Sequence, residues 1–210
     1  MPRTKKTRVP YPFRFAPEPH CRVHGPQGNR RYGAYKPWLR DEFEFRCVYC
    51  LTRELWSSAG QNSFSVDHLE PKSKQPKLTC QYDNLVYACI DCNRWKSAIT
   101  GLLDPCQNTL AEHLRLDRLG RFVGITSEGK RLVEYLRLNA ESRLRERTKK
   151  LYFYQIQNRM PKEMLRLDFG YPPDLPDLSK LKPPKGNIRP EGLKKSHLAR
   201  QRRRELPDYY

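Results

Sequence analysis

CVYC at residues 47–50 and CIDCNRWK at residues 89–96 are the stretches that decide the fold. Each C-x-x-C pair offers two thiolates at the local spacing of a zinc knuckle, and four such ligands suit a closed tetrahedral site. Residues 51–88 separate the pairs, a longer spacing than the roughly 15–20 residues of a plain zinc ribbon. We therefore predict a structural zinc clip with an insert between its halves. The predicted ligands are Cys47, Cys50, Cys89 and Cys92.

The insert contains FSVDHLEP at residues 64–71, in which a strand-like run enters an Asp67-His68 pair before Pro71 stops strand pairing. A carboxylate suits a hard divalent cation, and a neutral imidazole can take a proton near pH 7. An Asp-His dipeptide alone is more often a surface turn. Its position between the two cysteine pairs favours a role for this dipeptide in metal binding and proton transfer.

Two asparagines complete this region. Asn84 begins the sequence Asn-Leu-Val-Tyr, and Asn93 directly follows the second knuckle. That knuckle is predicted to open into a short helix that ends near Gly101, which would fix Asn93 against the clip.

These elements, in this order, resemble the HNH endonucleases. The resemblance rests on Cys-x-x-Cys, Asp-His with a Pro three residues on, Asn-Leu-Val, and Cys-x-x-Cys-Asn with a Lys three residues on, over about residues 45–100. It implies a ββα-metal core, in which a hairpin is followed by a helix. Residues 104–139 are similar to the extension of small stand-alone bacterial HNH proteins.

The resemblance also implies roles for individual residues. His68 matches the general base, Asp67 the adjacent metal ligand, Asn84 the position that orients the base, and Asn93 the position that completes the metal site. Because the last position is Asn rather than His, the site is expected to hold Mg²⁺ or Mn²⁺.

Two basic residues follow Asn93 on the predicted helix. Arg94 and Lys96 are predicted to contact flanking phosphates. A solvated helix face explains them about equally well.

Composition agrees with a nucleic-acid partner. The 210 residues carry 41 Lys and Arg against 23 Asp and Glu, a net charge of +18, which favours a polyanion such as DNA. No apolar run approaches the roughly 20 residues of a membrane span, and the start lacks a secretory signal. We therefore expect a cytoplasmic protein, in which paired cysteines bind metal rather than form disulfides.

The expected fold class is α+β, a zinc-clipped ββα-metal core with a β-hairpin and helical extension and irregular Pro-rich arms. The extension is predicted to contain a hairpin at residues 113–126, a helix at about residues 128–138 capped by Thr126 or Ser127, and a helix at residues 140–156 capped by Asn139. The predicted regions are an N-terminal Pro- and aromatic-rich arm (1–44), the HNH core (45–101), the extension (102–160) and a Pro-rich, basic C-terminal tail (161–210). The tail composition predicts a segment that does not order by itself.

The sequence as a whole predicts a metal-dependent HNH endonuclease that hydrolyses DNA. One alternative is a catalytically silent zinc module that only binds nucleic acid. Another is a nuclease subunit of a larger bacterial anti-phage or restriction assembly, with the arms serving as straps to a partner protein or to a second copy.

Overall fold

The computed structural model describes residues 8–210 and has the expected α+β content, with two separate two-stranded antiparallel sheets. The strands are β1 (Phe64–His68), β2 (Leu85–Cys89), β3 (Leu114–Leu116) and β4 (Phe122–Gly124). The α-helices are α1 (Lys36–Glu42), α2 (Ile90–Lys96), α3 (Leu110–His113), α4 (Ser127–Tyr135), α5 (Glu141–Gln155), α6 (Lys162–Phe169), α7 (Gly192–Lys195) and α8 (His197–Arg202). No helix in the described range is long and apolar enough to cross a membrane.

The central element is the hairpin of β1 and β2 followed directly by α2. The strands pair in antiparallel register, with Asp67 opposite Val86 and His68 opposite Leu85. The Asp-His pair therefore lies where β1 ends and β2 begins. Cys89 closes β2 in an extended conformation and accepts a hydrogen bond from the Cys92 backbone N–H, so the chain enters α2 without a loop. This is the ββα order that the resemblance to the HNH endonucleases implied.

One large hydrophobic cluster joins α1, the central hairpin and the extension, and a smaller cluster contains Val9, Leu165, Phe169 and Tyr209. Leu39 of α1, Leu85 of β2 and Leu132 of α4 belong to the large cluster, and each is completely buried. The helix α1 itself was not predicted. Pro37 in its first turn suits a helix start, and a helix of this length depends on packing rather than on periodicity that a sequence would reveal.

The N-terminal segment is irregular and yet well packed. Val9, Phe13 and Phe15 are all buried. The ring of Phe13 lies 5.1 Å from that of Trp56, and the ring of Phe15 lies 5.7 Å from that of Phe122. The segment thus contacts both the central region and the extension.

The extension follows the predicted order. Strands β3 and β4 form a hairpin whose turn contains Gly120 at a φ of +79°, and Thr126 caps α4 through a hydrogen bond from the Gly129 N–H. Both predictions are confirmed. Helix α4 ends at Tyr135, earlier than expected, although Leu138 beyond it remains buried.

Asn139 does not cap the next helix, and that prediction is wrong. Helix α5 begins after Ala140 without a side-chain cap. The Asn139 side chain instead accepts a hydrogen bond from the Phe122 N–H and donates one to the Phe122 carbonyl. The side chain thereby links the turn between α4 and α5 to strand β4. Helix-capping preferences concern local contacts and do not predict a tertiary contact of this kind.

The C-terminal segment packs against the chain itself, in contrast to the disorder that its composition predicted. Tyr209 is buried, the ring of Tyr210 stacks 4.2 Å from the Arg53 guanidinium, and His197 is held by Asp41. The prediction from composition was wrong because a few aromatic and leucine side chains are sufficient to hold the C-terminal segment against the rest of the protein. Several of the basic residues there are paired with acids, in the ion pairs Arg189–Asp83, Arg202–Asp177 and Arg203–Glu205.

Asp41 joins both terminal segments to α1. Its carboxylate lies 2.8 Å from His24 Nε2 and 3.1 Å from His197 Nδ1. Although burial alone would raise it, hydrogen bonds from His197 and His24 lower the pKa of Asp41 to about 2. The carboxylate therefore stabilises the fold above its ordinary pKa, and this contribution is lost as the pH falls through about 2.

We expect Asp41→Asn to lower the free energy of unfolding at pH 7 by about 2 kcal/mol, the value that corresponds to this pKa shift. Urea denaturation followed by tryptophan fluorescence measures the change. The control is Glu191→Gln, which removes an exposed carboxylate and should change stability by no more than about 0.5 kcal/mol. Equal effects of the two substitutions would show that Asp41 does not hold the termini.

Candidate active site

The four cysteines converge as the sequence predicted. Cys47 and Cys50 come from the turn before β1, Cys89 from the end of β2, and Cys92 from the first turn of α2, and their sulfurs all lie within 4.8 Å of one another. The Cys50 and Cys89 sulfurs are 3.7 Å apart. A tetrahedral site with Zn–S bonds of about 2.3 Å places its sulfurs about 3.8 Å apart. The donor set and its spacing therefore fit a structural zinc ion.

A cleft lies at the end of the β1–β2 hairpin where β1 stops. It is lined by Asp67, His68, Asn93, Tyr32 and Lys72. The end of β1 supplies the first two residues, and α2 supplies Asn93. Because α2 starts at the zinc knuckle, the clip fixes the distance between the Asp-His pair and Asn93. The structure thus brings together three of the four residues predicted for catalysis.

The Asp67 carboxylate is almost completely buried and is held from two sides. Tyr49, which lies inside the first C-x-x-C pair, donates its hydroxyl hydrogen to Oδ2 at 2.7 Å. The Lys96 ammonium lies 3.4 Å from Oδ1. Burial raises the pKa of Asp67, and Lys96 and Tyr49 oppose that effect. A carboxylate has about four lone-pair positions, so Asp67 can bind a cation in addition to these contacts.

His68 is held through one ring nitrogen. Its Nε2 lies 3.0 Å from the Thr79 carbonyl oxygen. Because a carbonyl can only accept, Nε2 carries the proton and Nδ1 of the neutral ring has a free lone pair. Burial lowers the pKa of His68, which favours that neutral form near pH 7. Tyr32 packs against the imidazole at a centroid distance of 4.8 Å.

The Asn84 side chain, at the position that the resemblance implies orients the base, makes its hydrogen bonds to the backbone of the loop that follows His68 and not to the imidazole. Its side chain accepts from the Glu70 N–H at 2.8 Å and donates to the carbonyls of Glu70 and Leu78. Asn84 therefore closes the base of the loop at residues 69–83. Because Thr79 belongs to that loop, Asn84 acts on His68 through the loop backbone.

Asn93 presents an oxygen to the cleft. Its Nδ2 donates to Ser65 Oγ at 2.8 Å, and this bond sets the orientation of the amide. Among residues 8–210, none donates a hydrogen bond to Oδ1 of Asn93. Oδ1 and the Asp67 carboxylate are thus two oxygen donors on one cleft, a donor set that suits a hard divalent cation.

Arg94 and Lys96 have different environments. The Arg94 side chain is 66% exposed and pairs with Asp91, so it can still reach a phosphate. Lys96 is 1% exposed and donates to the His68 carbonyl and to Asp67. The predicted phosphate contact of Lys96 is therefore wrong. The sequence of α2 gave no sign that Lys96, unlike Arg94, faces the protein interior.

Sequence reasoning missed Tyr49, Thr79 and Tyr32. Tyr49 lies inside the first C-x-x-C pair, but the sequence does not indicate that its hydroxyl bonds to Asp67. Thr79 contributes only its backbone carbonyl. Because every residue has a carbonyl, the residue type gives no indication of this contact. Tyr32 comes from the N-terminal segment, and only tertiary packing brings it to the cleft.

Comparison with known protein families supports this core. The HNH endonuclease family model matches residues 47–98, which include both cysteine pairs and the four residues Asp67, His68, Asn84 and Asn93. No curated protein matches the chain. Residues 47–98 therefore match the HNH endonuclease family, and their four clustered cysteines are arranged like a zinc clip.

Proposed function

We propose that this protein is a metal-dependent endonuclease that hydrolyses DNA phosphodiester bonds. The observation that carries the proposal is the meeting of His68, Asp67 and Asn93 on one cleft, with Asn93 following Cys92 of the four-cysteine cluster in sequence. A module that only binds nucleic acid does not require an imidazole with a free nitrogen beside two oxygen donors. A general base next to a cation site is what hydrolysis requires.

His68 is proposed to activate water. With Nε2 bound to the Thr79 carbonyl, Nδ1 accepts the proton of a water molecule that attacks phosphorus in line with the departing 3′ oxygen. Asn84 and Thr79 supply no proton in this scheme. They hold the ring in the required tautomer, and outer hydrogen bonds of this kind contribute about 10–100-fold in related metal sites.

Asp67 and Asn93 are proposed to hold a divalent cation, Mg²⁺ or Mn²⁺. Such a cation would supply positive charge that stabilises the phosphodiester as it is cleaved. Lys96 holds the Asp67 carboxylate at Oδ1, and Tyr49 holds it at Oδ2. Both contacts orient the carboxylate before the cation arrives.

Exposed basic residues next to the cleft support DNA as the substrate. Lys72, Lys74 and Lys77 lie on the loop that follows His68, and all three are exposed. Lys72 also lines the cleft itself. Together with Arg94 on α2, they can meet backbone phosphates on either side of the scissile bond.

From residue 8 onward, the terminal segments pack against the rest of the chain. Both pack on the protein's own core, through Phe13 and Phe15 at one end and through His197 and Tyr209 at the other. Their extent was the reason to consider straps. The proposal therefore concerns an enzyme whose cleft is formed by its own chain.

Incubation with supercoiled plasmid tests the proposed function. Relaxed or linear DNA should form with Mg²⁺ or Mn²⁺ and should not form with EDTA. Cleavage that continues in EDTA would contradict a metal-dependent mechanism. Binding of the plasmid without cleavage under any divalent cation would favour the silent zinc module.

Tyr49 provides a sharper test of the cleft. We expect Tyr49→Phe to lower the cleavage rate about 10-fold or more and to weaken Mn²⁺ binding, because Asp67 loses a hydrogen bond that orients it. Electron paramagnetic resonance of free Mn²⁺ measures the binding.

The matched control is Tyr87→Phe. Tyr87 is equally buried in the same core and donates to Glu54 at 2.6 Å. Both substitutions should cost similar stability, on the order of 1–3 kcal/mol, and both should keep the zinc. If Tyr87→Phe weakens Mn²⁺ binding as much as Tyr49→Phe does, Tyr49 has only a structural role.

A further inference from the structure

Helix α5 brings two arginines to the zinc clip from outside the region that matches the family model. The Arg143 Nη1 lies 3.5 Å from the Cys92 sulfur and also donates to the Leu136 carbonyl at 2.9 Å. Arg147 lies one helical turn further along α5. Both guanidinium groups line a single cleft with Cys50 and Cys89.

These two cations lack a close acidic partner. Arg147 is 5% exposed and donates only to the carbonyls of Gly120 and Leu138, and none of the acids described in the structure pairs with it. The Arg143 side chain is 13% exposed, and its Nη2 is buried without a hydrogen-bond partner. Asp91 approaches that nitrogen only to 3.9 Å. Buried charges are costly unless an opposite charge offsets them.

The four-cysteine site supplies the opposite charge. A divalent ion bound by four thiolates leaves two negative charges in excess. Two guanidinium groups beside the sulfurs can balance that excess. The same arrangement explains why a cation as buried as Arg147 is tolerated without a carboxylate.

We propose that Arg143 and Arg147 form the charge-balancing shell of the zinc site, with Arg143 as a positioning residue for the Cys92 thiolate. The zinc ion thereby joins three parts of the chain, the two knuckles and α5. This inference concerns retention of zinc and does not depend on the proposed nuclease activity.

The test is the rate at which zinc passes from the intact protein to a colorimetric chelator in excess. Arg143→Gln keeps a donor for the Leu136 carbonyl but removes the charge beside Cys92. We expect it to release zinc at least about 10-fold faster than the unchanged protein, the scale found for outer partners of metal ligands. Arg145→Gln is the control, because Arg145 lies on the same helix with a side chain 66% exposed, and it should release zinc at the original rate.

Cobalt provides a second measurement that does not depend on release. In the cobalt-substituted protein, loss of the positive charge raises the energy of the sulfur lone pairs. The sulfur-to-cobalt charge-transfer band of Arg143→Gln should therefore move to longer wavelength, and that of Arg145→Gln should not move. If folded Arg143→Gln matches Arg145→Gln in both release rate and band position, the proposal is overturned.

Arg143→Lys decides the case if Arg143→Gln does not fold. An ammonium cannot reach both the Cys92 sulfur and the Leu136 carbonyl as the guanidinium fork does. Its band should move in the same direction by a smaller amount. An unchanged band in Arg143→Lys would overturn the proposal in the same way.

Discussion

His68→Ala should lower plasmid cleavage by at least about 100-fold, because it removes the only group on the cleft proposed to take a proton from water. The His68 ring lies at the end of β1, where it bonds to the Thr79 carbonyl and packs against the ring of Tyr32. Its removal should therefore leave the fold intact. A time course with supercoiled plasmid and Mn²⁺ measures the rate.

Two properties of His68→Ala serve as controls. Zinc content should equal that of the unchanged protein, since no cysteine contacts His68, and affinity for plasmid should change little, because the exposed lysines remain. A variant that keeps zinc, binds DNA and still cleaves at more than a tenth of the original rate would exclude His68 as the base.

Cys89→Ser should have the largest effect on folding. Cys89 ends β2 and leads into α2, so loss of its thiolate removes a zinc ligand and releases both elements. Structural zinc sites supply on the order of 10–16 kcal/mol of apparent binding free energy, which is comparable to the whole stability of an ordinary domain. We expect Cys89→Ser to lose zinc and to be insoluble or unfolded by circular dichroism.

Cys21→Ser is the matched control for this substitution. Cys21 is exposed and lies outside the cluster, so its replacement should change neither zinc content nor stability. The structural role of zinc would be contradicted if the unchanged protein, stripped of zinc by a chelator, kept its full secondary structure and its melting temperature.

The sequence predicted the central core because its constraints are local. Paired cysteines at knuckle spacing and an Asp-His pair before a proline each restrict the backbone within a few residues. The order of these elements resembles the HNH endonucleases, and that resemblance implied the arrangement of β1, β2 and α2. The Thr126 cap and the second hairpin were predictable for the same reason.

Other features depend on contacts between distant segments. Lys96 is a surface residue by composition and is buried because Asp67 and the His68 carbonyl face it across the hairpin. Asn84 was expected to orient the base, and its side chain bonds to the loop backbone rather than to the imidazole. The C-terminal segment is too polar to fold alone, yet Asp41 and Arg53 provide sites for His197 and Tyr210. None of these pairings has a signature in the sequence.

The position of helix α5 shows the same limit. Its amino acids predicted a helix, and the observed helix confirms that. Nothing in the sequence indicated that Arg143 and Arg147 turn toward the cysteines while Arg145 faces solvent. Helical spacing places the first two on one face, but the partner of that face is set by the packing of the extension.

Hydrolysis in ¹⁸O-labelled water tests the central claim most directly. A defined DNA duplex is cleaved by the zinc-loaded protein with Mn²⁺, and the fragments are analysed by mass spectrometry. If water activated by His68 attacks phosphorus and the 3′ oxygen departs, the new 5′-phosphate carries one ¹⁸O, the other new end is a 3′-hydroxyl, and His68→Ala gives almost no product. Labelled 3′-phosphate ends, or equal labelled product from His68→Ala, would contradict the mechanism.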